Sequence, residues 1–135
     1  MTETEQASVT QRLRVLIVDD SSLVRLYYHN ILAKAGFEVE QAINGIEAME
    51  KVLAQAFDLL IVDVNMPRMD GLSFLRDLRR AAQEVATVPA LVISTEARDQ
   101  DIHDARTAGA NFYLVKPVSE ADVLRHANVL AGASR

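Results

Sequence analysis

Short apolar runs, each halted by a polar or turn-forming residue, alternate along the chain with stretches whose apolar side chains recur every three or four positions. The run Leu59-Leu60-Ile61-Val62 is β-branched and is stopped by Asn65, Pro67, Asp70 and Gly71, which predicts a strand buried on both faces with Asp63 at its tip. Similar runs predict strands at 13–18, 37–42, 90–93 and 112–115. Between them lie five helical patterns. Ser21 and Ser22 are good N-caps for the first, with apolar positions 24, 27, 28, 31 and 35 before Gly36. The second follows an Asn44-Gly45 turn over 46–54, with apolar positions 46, 49, 52 and 53. A third over 72–82 buries Leu72, Leu75 and Leu78. A weakly apolar fourth spans 100–108 before Gly109, and Ser119 caps the fifth, which carries Val123, Leu124, Ala127 and Leu130.

Five strand–helix units with short connections need right-handed crossovers, which builds a mostly parallel sheet covered by helices on both faces. The expected fold class is therefore α/β, a doubly wound five-stranded parallel sheet with five helices. At 135 residues, half of them hydrophobic, the chain has room for one domain and one sizeable core. Residues 1–11 are polar and aperiodic and are expected to be a disordered tail, with the domain over 12–131 and a short C-terminal tail at 132–135.

Composition then excludes several classes of function. No stretch approaches the ~20 apolar residues of a membrane helix, and the first residues are polar and acidic, so a soluble, cytoplasmic protein is expected. The absence of Cys removes thiolate metal sites and thiol nucleophiles. A net charge of −5, with no Lys/Arg run, argues against a nucleic-acid partner. No Gly-rich nucleotide loop is present, and His29, His103 and His126 fall in three separate helices without ligand spacing.

In a doubly wound sheet, ligands bind beyond the carboxyl ends of the strands. Those ends carry Asp19 and Asp20 on the first strand, Asp63 on the third, Ser94 on the fourth and Lys116 on the fifth. Three converging carboxylates repel one another unless a cation lies among them, and a set of hard anionic oxygens suits Mg²⁺. Lys116, held in extended geometry by Pro117, supplies an ammonium, and Ser94 supplies a hydroxyl. A nucleophilic carboxylate with Mg²⁺, a cation and a hydroxyl fits in-line phosphoryl transfer onto Asp63.

These residues resemble the receiver domain of two-component response regulators, most closely the single-domain CheY-like type. The resemblance runs from about Leu13 to Ala131. It rests on Val18-Asp19-Asp20-Ser21, Ala42-Ile43-Asn44-Gly45-Ile46-Glu47-Ala48, Asp63 through Gly71, Ser94, Gly109-Ala110 and Lys116-Pro117. It implies the flavodoxin-like strand order 2-1-3-4-5. It further implies Asp63 as phosphoacceptor, and Mg²⁺ held by Asp19, Asp20, Asp63 and the backbone carbonyl of Asn65. Ser94 and Lys116 would take the phosphoryl oxygens, and Tyr113 would change rotamer as Ser94 moves. The donor would be a sensor histidine kinase, a phosphotransfer protein or a small phosphodonor. The face of the fourth helix, fifth strand and fifth helix would bind a downstream protein, with chemotaxis among the pathways. Such a protein catalyses its own phosphorylation and slow dephosphorylation and is not a turnover enzyme.

Thr95 stands where the family usually carries a small residue. Asn65 and Glu96, each two positions past a site residue, are candidates for setting the lifetime of the acyl phosphate. Leu23 and Leu26 lie off the core stripe of the first helix and offer a kinase-docking surface, whereas Tyr27 and Tyr28 fall on the core period. Two other readings remain: an aspartate-nucleophile phosphohydrolase of the haloacid-dehalogenase type, and a docking module that is never phosphorylated. The first normally places its nucleophile on the first strand in an Asp-x-Asp pair. With the chain ending soon after the fifth helix, output is expected through association with another protein.

Overall fold

The computed structural model describes residues 12–133. The expected N-terminal tail lies outside the described residues. Five strands form one parallel sheet: β1 (Arg14–Val18), β2 (Glu38–Ala42), β3 (Leu59–Val62), β4 (Ala90–Ser94) and β5 (Phe112–Val115). Among the described residues, six helices connect and flank them: α1 (Ser22–Lys34), α2 (Gly45–Ala54), α3 (Gly71–Arg79), the single-turn α4 (Gln83–Ala86), α5 (Asp99–Ala108) and α6 (Glu120–Ala133). The strand order is β2-β1-β3-β4-β5, as the resemblance implied.

Apart from Arg14 at the start of β1 and Ser94 at the end of β4, the three inner strands are apolar because both of their faces are covered. Leu16, Val18, Leu60, Val62, Ala90 and Val92 point into one core, shared with Ala48, Val52, Phe74, Leu75, Leu78, Ala105 and Ala108 of α2, α3 and α5. The alternate residues Val15, Ile17, Leu59, Ile61, Leu91 and Ile93 point into the other, against Tyr28, Ile31 and Leu32 of α1 and Val123, Ala127 and Ala131 of α6. The period of two along each strand thus divides one apolar run between two cores.

Helix phases depart from the sequence expectation in several places. Tyr27, expected in the core, is 44% exposed, and its hydroxyl donates to Val118 O at 2.8 Å. Leu32 takes the inward position instead, and Ala35 is exposed. Asn44 and Gly45 do not form a free turn: Asn44 caps α2 by accepting the Glu47 N–H at 2.9 Å, and Gly45 is its first helical residue. The inward residues of α2 are consequently Gly45, Ala48 and Val52, which turns Ile46 and Leu53 to solvent. The helix expected over 72–82 starts one residue earlier, capped by Asp70, and ends at Arg79. The additional turn α4 follows it. At the chain's other end, α6 continues to Ala133, past the expected boundary at 131.

Arg79 explains why the chain leaves α3 where it does. Its half-buried guanidinium donates to Ala86 O, Val88 O and Gly109 O, at 2.8, 2.6 and 2.7 Å, joining the ends of α3, α4 and α5 to the start of β4. Burial holds the guanidinium below its ordinary pKa.

Candidate functional site

From β1 the chain runs outward to β2 and then returns across β1 to β3. The connections after β1 and β3 therefore leave in opposite directions, and a crevice opens between their carboxyl ends. Register places the tips side by side. Val18 pairs with Val62, and the Asp63 N–H donates to Val18 O at 2.9 Å, so Asp63 extends the ladder beside Asp19. On the other side Ser94 pairs with Val115, and the Lys116 N–H donates to Ser94 O at 2.8 Å.

Asp19, Asp20 and Asp63 each offer a carboxylate oxygen within 4.8 Å of the others. Asp19 is buried, Asp63 half-buried and Asp20 exposed. Lys116 Nζ lies 3.5 Å from Asp19 Oδ2 and 3.5 Å from Asp63 Oδ1. These separations are those of an ammonium shared between two carboxylates. Burial and the Asp19 carboxylate push the Asp63 carboxyl up to about 6, against the opposing pull of Lys116. One ammonium thus leaves the crevice short of positive charge. That deficit, and a donor set of hard oxygens, fit a divalent cation of the Mg²⁺ type.

The loops around these carboxylates are held by their own backbones. The Asp19 carboxylate accepts the Ser21 N–H at 2.9 Å, and Ser21 caps α1 by accepting the Val24 N–H. After Asp63 the chain turns sharply: Gly71 N–H returns to Val64 O at 2.9 Å and Met69 N–H to Pro67 O at 2.8 Å, across Arg68 at φ 71°. A Cβ on Gly71 would run into the Asp63 carbonyl oxygen. Glycine at 71 is therefore what lets α3 start against the tip of β3.

The remaining expected residues fall around the rim. Ser94 is buried, and its hydroxyl oxygen accepts the Glu96 N–H at 3.1 Å instead of bonding Asp63 or Lys116. Tyr113 OH donates to Glu96 O at 2.7 Å, so Ser94 and Tyr113 hold opposite sides of the same residue's backbone. Thr95 and Asn65 are exposed and Glu96 half-buried. The Lys116-Pro117 peptide bond is cis. Among the described residues, no histidine belongs to the cluster of possible metal ligands. His126 packs its ring on Phe112 with centroids 4.6 Å apart.

Two residues near the site carried no functional signal in the sequence. Tyr28, assigned only to the core, has its phenol pKa raised by burial and then by the Asp19 and Asp63 carboxylates, which places the hydroxyl within their field. Arg25 donates from Nη1 to the backbone oxygen of Asp19 at 2.8 Å. Arg25 is not a strand-end group and reaches the site from one turn inside α1.

Comparison with known proteins gives this crevice a family. The family model of the response regulator receiver domain matches residues 15–128. The chain belongs to the response regulator receiver family. This receiver is 36% identical to the chemotaxis protein CheY-3 of Vibrio cholerae over 117 residues, covering 86% of this chain and 89% of that protein. It is 39% identical over 122 residues to the gliding motility regulatory protein of Myxococcus xanthus, covering 90% of this chain but only 16% of that much longer protein. Among solved structures, V. cholerae chemotaxis protein CheY4 superimposes with a TM-score of 0.83 at 34% identity, covering 88% of this chain and 98% of that one. The receiver domain of a sensor histidine kinase from Pseudomonas aeruginosa, described with a magnesium ion in its active-site cleft, gives 0.83 at 26% identity, over 90% and 98% of the two chains. Receiver domains are signalling modules and bind Mg²⁺ at an acidic site, which agrees with the three-carboxylate cluster here. Membership of this family does not favour the phosphohydrolase reading. Among the described residues, no helix is long and apolar enough to cross a membrane.

Proposed function

We propose that this receiver accepts a phosphoryl group on Asp63 from a phosphohistidine of a sensor histidine kinase or phosphotransfer protein, and signals by phosphorylation-dependent binding to another protein. The observation that carries this reading is the single ammonium of Lys116, 3.5 Å from both Asp19 and Asp63, in a crevice where three carboxylates meet.

In this reading Asp19, Asp20, Asp63 and the Asn65 carbonyl hold Mg²⁺, which when bound neutralises charge on the transferring phosphoryl group. An Asp63 carboxylate oxygen attacks phosphorus in line as the N–P bond breaks, leaving the bonding pair on the donor's imidazole nitrogen. Lys116 stays with the new anion. A phosphoryl oxygen accepts from the Ser94 O–H, and as the hydroxyl turns toward it the oxygen leaves the Glu96 N–H. Released from Ser94, the backbone of Glu96 shifts, and with it the acceptor of the Tyr113 hydroxyl. Tyr113 lies on β5 between the exposed Phe112 and Val115, so the change reaches the face formed by α5, β5 and α6, which is the output surface in this reading. Leu23 and Leu26, both exposed on α1, form part of the docking surface for the phosphodonor protein. Asn65, Thr95 and Glu96 border the path of the water that removes the phosphoryl group. The likeness to a chemotaxis protein of Vibrio and a gliding motility regulator of Myxococcus supports a place in chemotactic or motility signalling, in the cytoplasm.

The test is labelling with acetyl phosphate and Mg²⁺, read by intact mass. One phosphoryl group is expected on the wild type and none on Asp63→Asn or in the presence of EDTA. Stoichiometric labelling of Asp63→Asn would overturn the assignment.

A further inference from the structure

We propose that Arg25 is a positioning residue for the metal ligands Asp19 and Asp20, acting through the backbone carbonyl that joins them. The proposal rests on the reading of these carboxylates as a Mg²⁺ site.

The oxygen of Asp19 belongs to the peptide unit between the two aspartates, so the orientation of that plane fixes where the Asp20 side chain leaves the backbone. Arg25 Nη1 donates to this oxygen at 2.8 Å, a charge-assisted bond. The guanidinium is itself aimed by Gln41, whose Oε1 accepts from Arg25 Nε at 3.0 Å. Gln41 sits on β2 in register with Ile17, and its own carbonyl accepts from Lys51 Nζ at 2.7 Å. On the far side of the same residue, the Asp19 N–H donates to Ala42 O at 3.1 Å, while the carboxylate accepts from Ser21 N–H. Asp19 is thereby held at its amide, its carbonyl and its side chain. The carbonyl bond acts on the peptide that leads into the exposed Asp20, and the Ser21 bond closes the turn that follows it.

Charge and positioning predict opposite outcomes, and this makes the role testable. Arg25 is a cation beside an acidic site. If charge were its only influence, removing it would make the site more anionic and tighten binding of a divalent cation. If it positions the Asp19-Asp20 peptide, removing it weakens binding, and loss of a group that orients metal ligands typically costs about 10–100-fold in affinity.

The experiment titrates Mg²⁺ calorimetrically into the full chain as wild type, Arg25→Met, Arg25→Lys and Gln41→Met, with thermal unfolding of each recorded in EDTA. Arg25→Met is expected to weaken Mg²⁺ binding about 10-fold. Arg25→Lys is expected to recover part of that loss, since an ammonium still donates to the Asp19 oxygen but lacks the second arm for Gln41. Gln41→Met is expected to weaken binding by less than Arg25→Met. Unchanged or tighter binding in Arg25→Met overturns the proposal, as does a drop in thermal stability without a change in Mg²⁺ affinity. Should Arg25→Met fail to fold, unchanged affinity in Gln41→Met overturns it equally. A wild type that binds no Mg²⁺ overturns the metal-site reading and this proposal with it, whereas normal wild-type binding with no effect of Arg25→Met removes this proposal alone.

Discussion

A methyl group added at Gly71 would meet the Asp63 carbonyl oxygen and lie 2.8 Å from Val62 Cγ1. Neither neighbour can retreat cheaply, because one is backbone at a strand end and the other is packed in the core. Gly71→Ala is therefore expected to destabilise the protein by about 1–3 kcal/mol, read as a lowered urea midpoint, and to slow acetyl-phosphate labelling because Asp63 is displaced. At this scale the sequence disclosed the groups that project from strand ends. Asp19, Asp20, Asp63, Ser94 and Lys116 needed only the rule that a doubly wound sheet gathers its C-terminal tips. Gly71 and Arg25 were not legible as site residues. One matters because of a close backbone approach, and the other because of a bond to a main-chain oxygen, and neither leaves a period or a spacing in the chain.

The start of α3 sets how Asp63 is presented, and Asp70 holds that start. Its carboxylate accepts the Ser73 N–H at 2.9 Å and the Ser73 hydroxyl at 3.0 Å. Burial alone would raise its pKa, but these bonds, with the Leu72 N–H and Arg76, outweigh it and hold Asp70 below its usual 3.8. A carboxyl depressed in the folded state contributes stability that is present above its unfolded pKa and is lost as pH falls through the folded value. Asp70→Ala is expected to cost about 1 kcal/mol at neutral pH, and the difference from wild type is expected to shrink as pH falls below 3.8. Urea titrations at a series of pH values check both statements. Where elements begin was easier to read than which way they face. Ser21 and Ser119 mark helix starts in the sequence because a cap is a local bond, while Asp70, read only as a turn residue, caps α3 as well. The phase of α2 depends on Gly45 packing under Met69, a contact 24 residues away, so Ile46 and Leu53 looked like core and are not. Tyr27 was misplaced for a similar reason: its ring satisfies the helical period while its hydroxyl is drawn out to Val118 O.

At the scale of the molecule, the two cores carry the fold while the crevice works against it. Three carboxylates meet one ammonium there, and burial first, then the Asp19 carboxylate, raise the pKa of Asp63. A ligand that binds only the folded state adds RT ln(1 + [L]/Kd) to stability. Mg²⁺ at ten times its dissociation constant is therefore expected to add about 1.4 kcal/mol, seen as a rise of several degrees in the unfolding temperature that EDTA reverses. Asp63→Asn removes one of the three converging charges and one metal ligand. Metal-free at pH 7, that variant is expected to unfold at a higher temperature than wild type. In Mg²⁺ the gap is expected to narrow, since wild type gains more from the ion. A variant no more stable than wild type without metal would mean that Lys116 already balances the crevice, and that the sheet holds Asp19 and Asp63 together at no electrostatic cost.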